Sequence, residues 1–245
     1  MRGRVIRLAL LLLLGALGGC AGTGEERDPR DPYEGFNRGV YRFNDEFDSW
    51  VATPVAKVYK KVLHQEIRSR VGNFFANVQD LFIGVNNLLQ GKPADAVNDW
   101  ARFAFNSTFG LLGIHDVASE WGLEKHNEDF GQTFGRWGAP SGPYLVLPFL
   151  GSSTVRDGVG TGFDYYFAPL GEVRPINLRN TLYGVYLVNT RADLLDASQL
   201  LQEAALDRYV FQRDAYLQRR RSLIYDGSPP RERDEVNDTP DSSVK

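Results

Sequence analysis

A lone cysteine, Cys20, closes an apolar run and limits how the rest of the chain can be stabilised. Before it come Arg2, Arg4 and Arg7, the apolar stretch Leu8 to Leu17, then Gly18 and Gly19. A basic start, an apolar centre and small residues at the cut describe a secretory signal peptide. Leu17-Gly18-Gly19-Cys20 further fits a bacterial lipobox, whose cysteine sulfur receives a diacylglycerol before cleavage. The run is too short to cross a bilayer, which takes about 20 apolar residues. The alternative is an ordinary leader followed by a buried cysteine. With no second cysteine there is no disulfide, even in the oxidising compartment the leader implies. The mature chain is expected to begin at Cys20 and to hang from a membrane by several acyl chains, which hold far better than one. Ala21, where an Asp commonly retains enteric lipoproteins at the inner membrane, favours the outer one.

The remainder is long enough for one sizeable domain or two small ones. Without the leader its net charge is about −6, which argues against a nucleic-acid partner and against anionic lipid head groups as the main membrane attraction. Four segments are expected: a signal peptide over 1–19, a lipidated flexible tether over 20–30, a helical domain over 31–225 and a disordered tail over 226–245. The tether is small and polar, and the tail nearly lacks apolar residues.

Between tether and tail the pattern is helical. Asp31-Pro32-Tyr33-Glu34 reads as a capped helix start, followed by an aromatic stripe at Phe36, Val40, Phe43, Phe47 and Trp50. Pro54 ends that helix or starts the next. A longer pattern from Ile67 to Leu89 stops at Gly91-Lys92-Pro93, a glycine C-cap with proline beyond. In Ala94 to Leu112 the apolar residues spread around the axis, as in a helix buried on most sides or partly meeting lipid. The glycine-rich centre, 131–162, reads as turns and short helices, with a hairpin-like loop at 138–143. Helical periodicity returns at Leu182 to Val188, and Thr190-Arg191-Ala192-Asp193 looks like a further helix start. No run of alternating strands stands out, so the expected class is all-α with no spanning helix.

Signs of catalysis are few. His64, His115 and His126 share no metal-ligand spacing, Gly-x-Ser-x-Gly is absent around Ser152 and Ser153, and Arg156-Asp157 suits a local ion pair or cap. A triad of Ser153, His115 and a distant Asp would need the fold to assemble it. Gly158-Val159-Gly160-Thr161-Gly162 lacks the lysine of a phosphate loop and reads as a flexible or tightly packed turn. No cofactor or metal is expected. Aromatic residues, 12% of the chain, suit either a filled core or a membrane interface, where Tyr and Trp place an apolar body beside a polar tip.

Several longer blocks resemble one family. Asp31-Pro32-Tyr33-Glu34-Gly35-Phe36-Asn37-Arg38, Phe43-Asn44, Asn86-Asn87-Leu88-Leu89-Gln90-Gly91 and Phe105-Asn106-Ser107-Thr108-Phe109-Gly110 appear in order. They are followed by Asp116-Val117-Ala118, the block from Asp129 to Gly138, and Gly142-Pro143-Tyr144-Leu145-Val146-Leu147-Pro148-Phe149-Leu150-Gly151 running on to Ser153–Gly158. Over residues 31–225 the chain is similar to the MlaA (VacJ) lipoproteins. The resemblance implies a ring of amphipathic helices lying in the inner leaflet of the outer membrane, facing the periplasm around an amphipathic channel. It implies no enzyme, but a route by which mislocalised phospholipid leaves the outer leaflet. The implied partners are phospholipid, a porin trimer and a soluble periplasmic carrier that feeds an inner-membrane ATP-driven complex. A movable lip is expected at 135–142, with Gly135, Trp137, Gly138, Gly142 and Tyr144 as its candidate residues and Cys20 as the lipid attachment. The competing readings are a porin-associated scaffold that moves no lipid and a lipoprotein phospholipase.

Overall fold

Apolar residues at three- and four-residue steps fold as helices through most of the computed structural model, which describes residues 28–230. Cys20, the leader and the tail from 231 lie outside the described residues, as do the side chains of 199–204. Helix α1 (Glu34–Phe47) runs through one π-helical turn (Asp48–Ala52) into α2 (Thr53–Val62). Helices α3 (Gln65–Leu89) and α4 (Pro93–Thr108) pack as a hairpin, followed by the short α5 (Val117–Glu120) and α6 (Phe130–Arg136). Strands β1 (Tyr144–Leu147) and β2 (Gly151–Thr154) lead into α7 (Val155–Phe167), a 3₁₀ turn at Pro169–Glu172, the long α8 (Ile176–Ala204) and α9 (Arg208–Ile224). No described helix is long and apolar enough to cross a membrane.

Local chemistry sets several of these boundaries. Pro54 lies in the first turn of α2, where its missing N–H costs nothing. Gly91 ends the α3 region at φ +79°, a backbone state that glycine adopts without steric cost, while Lys92 N–H donates to Asn87 O at 2.9 Å.

Four expectations need correction. Asp31 caps nothing with its side chain; it is fully buried, accepts from Asn37 Nδ2 at 2.8 Å and from the Tyr209 hydroxyl, and so ties the start of the domain to α9. The centre holds a two-stranded antiparallel hairpin, Tyr144 opposite Thr154 and Leu147 opposite Gly151, rather than only turns and short helices. Residues 158–162 are helical within α7, and Gly160 lies so close to the Gly131 backbone that a methyl group there would overlap it. No helix starts at 190–193: α8 runs straight through, because the Asp193 carboxylate is engaged sideways by Asn189 and Arg68.

The hairpin has an unusual support. Asn37 and Asn44 stand two turns apart on one face of α1. Asn37 donates to Tyr144 O at 3.0 Å and accepts from Val146 N at 2.9 Å. Asn44 donates to Leu147 O at 3.0 Å and accepts from Phe149 N at 2.8 Å. Two amides thus serve as a surrogate strand, satisfying the edge of β1 that would otherwise stay unpaired.

Candidate functional site

Polarity is inverted in much of this molecule. Among the described residues, buried polar and charged side chains outnumber buried apolar ones, while large apolar side chains stand exposed on every main helix. On α3 the buried residues include the polar stripe Asn77, Asp80, Gly84 and Asn87 beside Phe75 and Ile83, and Leu81 and Leu88 face outward. On α4 it is Asp99, Arg102 and Asn106, with Val97 outward. Trp50 is 82% exposed and Tyr166 79%. An unpaired buried charge is expensive, and the charged members of this interior pair with one another, although Asn77 Oδ1 and Asn87 Oδ1 have no hydrogen-bond partner. Arg102 reaches Asp116 at 2.9 Å and Leu123 O at 2.7 Å, and faces Asp80 at 3.4 Å. Lys125 also pairs with Asp80. Burial opposes the charge on Asp116, but hydrogen bonds from Ser119, Asn106 and Arg102 outweigh it and hold the carboxyl at about 2. Burial dominates at Asp80 and raises its pKa despite Lys125.

Where α1, the hairpin, α8 and α9 meet lies an open groove of about 680 Å³, with Leu150, Leu194, Arg208, Phe211, Ala215 and Arg219 exposed along it. One part of its wall is apolar, from Val146, Leu150, Leu194 and Phe211, and another carries Arg191, Arg208 and Arg219. Arg191 binds Asp48 through two nitrogens, at 2.5 and 2.7 Å. Burial works against that carboxylate, and Arg191 together with Thr53 still lowers its pKa. Ser152 is fixed in the wall by Tyr144 at 2.8 Å and Gln212 at 3.0 Å.

A smaller space of about 230 Å³ shares Leu150, Ser152 and Tyr216 with the first. It contains Arg220, bound to Asp129 at 2.6 and 2.7 Å and to Asp157 at 3.1 Å. Near it, burial pushes Asp164 up to about 6, opposed by the Phe130 N–H it accepts. The walls therefore offer apolar contact, guanidinium groups and hydroxyls in two adjoining spaces, chemistry suited to an amphiphile bearing an anionic group.

The five lip candidates are spread over different settings, and none lines either space. Gly135 lies inside α6 against Ile224 and Arg156. Trp137 follows α6, exposed but holding Leu89 O through Nε1 at 2.9 Å. Gly138 and Gly142 take φ +91° and +66° at the ends of the loop. Tyr144 is buried in β1 against Tyr209 and Tyr216. Arg208, Arg219 and Gln212 were not singled out from the sequence, and Ser152 and Arg191 were considered only as a nucleophile and as part of a helix start. The one local hint was the scatter of polar residues through α8 and α9, which leaves neither helix a clean apolar stripe.

Arg156 pairs with Asp157 at 2.9 Å, as its position suggested. Ser153 and His115 line different cavities, and His126 binds Asp99 at 2.9 Å. Among the described residues no cluster of His, Cys, Asp and Glu gathers as a metal set.

A helical body with apolar outer faces, polar interior stripes and an amphipathic groove has the make-up of a membrane-surface protein that handles amphiphiles. The model of the MlaA lipoprotein family matches residues 29–223, and the chain belongs to that family. The intermembrane phospholipid transport system lipoprotein MlaA of Escherichia coli (strain K12) is 36% identical over 192 residues, 76% of this chain and 75% of that protein. The protein of the same description from Haemophilus influenzae is 32% identical over 199 residues, 79% of each. A solved structure described as "Structural basis for maintenance of bacterial outer membrane lipid asymmetry" matches with a TM-score of 0.69 at 32% identity. It covers 81% of this chain and 100% of the solved one.

Proposed function

We propose that this chain is an outer-membrane lipoprotein, anchored through Cys20, that withdraws mislocalised phospholipid from the outer leaflet and passes it to a soluble periplasmic carrier. It works beside a porin trimer and does no covalent chemistry on the lipid. The observation that carries the reading is the open groove of about 680 Å³, apolar on one side and arginine-bearing on another, between helices that also present apolar residues outward. Exposing a phospholipid's two chains to water costs on the order of 20 kcal/mol at about 0.8 kcal/mol per CH₂. A sheltered route with polar partners for the head group removes most of that barrier. The fit to the named activity of the E. coli and H. influenzae relatives supports the same reading.

The loop from Gly135 to Gly142 is the proposed lip. Its glycines supply two left-handed turn positions, and its ends are held by Trp137 on Leu89 and by Arg156 on Ser141 O. A disulfide engineered across the loop should slow lipid passage; undiminished transport with the crosslink verified removes the lip from the account.

The function is tested in cells lacking the gene, with an enzyme that modifies only surface-exposed phospholipid. Accumulation reversed by the wild type but not by Cys20→Ala, without lysolipid or fatty-acid release, supports anchored retrieval. Unchanged surface lipid on deletion points to a scaffold, and hydrolysis products point to a phospholipase.

A further inference from the structure

Two opposite charges line the groove without a partner in the protein. Asp45 on α1 and Arg208 at the start of α9 make no hydrogen bond or ion pair with any described residue, nor with each other. The charges around them are already engaged. Arg191 holds Asp48 at 2.7 Å. Asp207, next to Arg208, accepts from Arg38 at 2.8 Å and caps α9 through Tyr209 N at 2.9 Å. Of the two carboxylates lining the groove, Asp45 is therefore the unpaired one. Tyr41 stands one turn before Asp45 on the same face of α1 and lines the groove with it. Its hydroxyl reports on both charges: burial raises its pKa most, Asp45 raises it further and Arg208 opposes. This end of the groove thus presents a carboxylate, a guanidinium and a hydroxyl to one occupant. Arg219 lies eleven residues further along α9, about 16 Å away by helix rise, with no unpaired carboxylate beside it in the groove.

We propose that Asp45, Tyr41 and Arg208 read the lipid head group and favour one that carries a primary ammonium beside its phosphate, a phosphoethanolamine, over a phosphoglycerol. The inference rests on the phospholipid reading above. Arg208 and the Tyr41 hydroxyl take the phosphate oxygens, and Asp45 accepts from the ammonium, a charge-assisted hydrogen bond. Opposite charges joined by a two-carbon link match a carboxylate and a guanidinium that stand apart; a closed ion pair would leave neither available. Leu194 and Phe211 continue the wall as apolar surface for the chains. A glycerol head group gives Asp45 no cation and leaves its carboxylate facing an anionic lipid.

The test is native mass spectrometry of the acylated protein in detergent, with an equimolar mixture of phosphatidylethanolamine and phosphatidylglycerol carrying identical chains. The wild type should retain the ethanolamine lipid by about two- to fivefold, the range of one exposed charge pair. Asp45→Asn should bring the ratio close to one, and Asp45→Lys should turn it towards phosphatidylglycerol. Both should melt as the wild type does, because Asp45 has no partner to lose. Arg208→Gln should lower retention of both lipids. Glu46→Lys makes the same charge change at an exposed neighbour outside the groove and should leave the ratio alone. Equal retention by the wild type with no response to Asp45→Lys, or an equal response to Glu46→Lys, overturns the head-group inference while lipid binding stands. Retention of neither lipid removes both.

Discussion

The α3–α4–α5 region and the region around the hairpin are built from the same kinds of polar side chain, yet only in the second do those side chains line an open groove; the cleft of about 850 Å³ beside the first touches its polar cluster only at Asp116. In the first, Asn77, Asp80, Asp99, Arg102, Asn106 and Asp116 lie against one another and fill the space between helices. In the second, Arg191, Ser152 and Gln212 are fastened to neighbours at the wall and leave an open groove between the elements. Polarity inside this protein is therefore not by itself a sign of a passage. The difference lies in backbone spacing. Helices α3 and α4 approach closely, helped by Gly84 under the Trp100 ring, whereas the hairpin rests on α1 through two asparagine amides and the packing of Val40, Tyr41, Phe43 and Phe47.

The largest effect that would break this comparison is expected at Arg102. Arg102→Leu leaves Asp80 buried and Asp116 half-buried without their guanidinium and should cost about 3–5 kcal/mol in urea unfolding. A loss below about 1 kcal/mol would mean that the closed region is not the rigid half.

Asp164 sharpens the comparison through pH. Its folded pKa, about 6, lies above the ordinary value of 3.8, so its ionisation works against folding above pH 6, and stability rises as pH falls from 6 towards 4. Asp116 is the opposite case: its stabilisation is present above pH 4 and is lost as pH falls towards 2. Asp164→Asn keeps the acceptor for Phe130 N–H. After allowance for solvent screening it should add about 1–2 kcal/mol at pH 7 and flatten the profile between pH 4 and 6. Thermal melts across that range check it; a lower melting temperature at pH 7 would contradict it.

A smaller, local effect is expected at the hairpin turn. Asn44→Ala removes two hydrogen bonds from residues 147–149 and should destabilise the turn by about 1 kcal/mol. Faster amide exchange at Phe149, with Asn106 and Ala118 unchanged, would show that the open half yields independently of the closed one.

Much of the helical plan was legible in the sequence because it is local. Pro54, Gly91 and the Arg156–Asp157 pair act within a few residues of themselves, so spacing alone reveals them. What was not legible depends on distant partners. The Tyr144–Leu147 strand is interrupted at Pro148 and completed by Asn37 and Asn44, more than a hundred residues upstream. Asp31 looks like a cap until Tyr209 is brought to it, 178 residues away. The inversion of α3 was present as the periodic stripe 77, 80, 84 and 87, but apolar stripes draw the eye first, and a polar stripe marks an interior only when other elements supply partners. The groove residues stayed hidden for the same reason: nothing local to Arg191, Arg208 or Arg219 shows that α8 and α9 bring them to one groove.

The central claim is that the open volume is the path of the lipid, and Ala215 in its wall gives the most direct access to it. Deletion cells would be complemented with the wild type or with Ala215→Trp at matched abundance, and surface-exposed phospholipid measured. The account predicts that Ala215→Trp leaves surface lipid as high as in the deletion strain while the purified variant melts as the wild type does. Full restoration of lipid asymmetry by Ala215→Trp, with the indole shown to fill the groove, would contradict it.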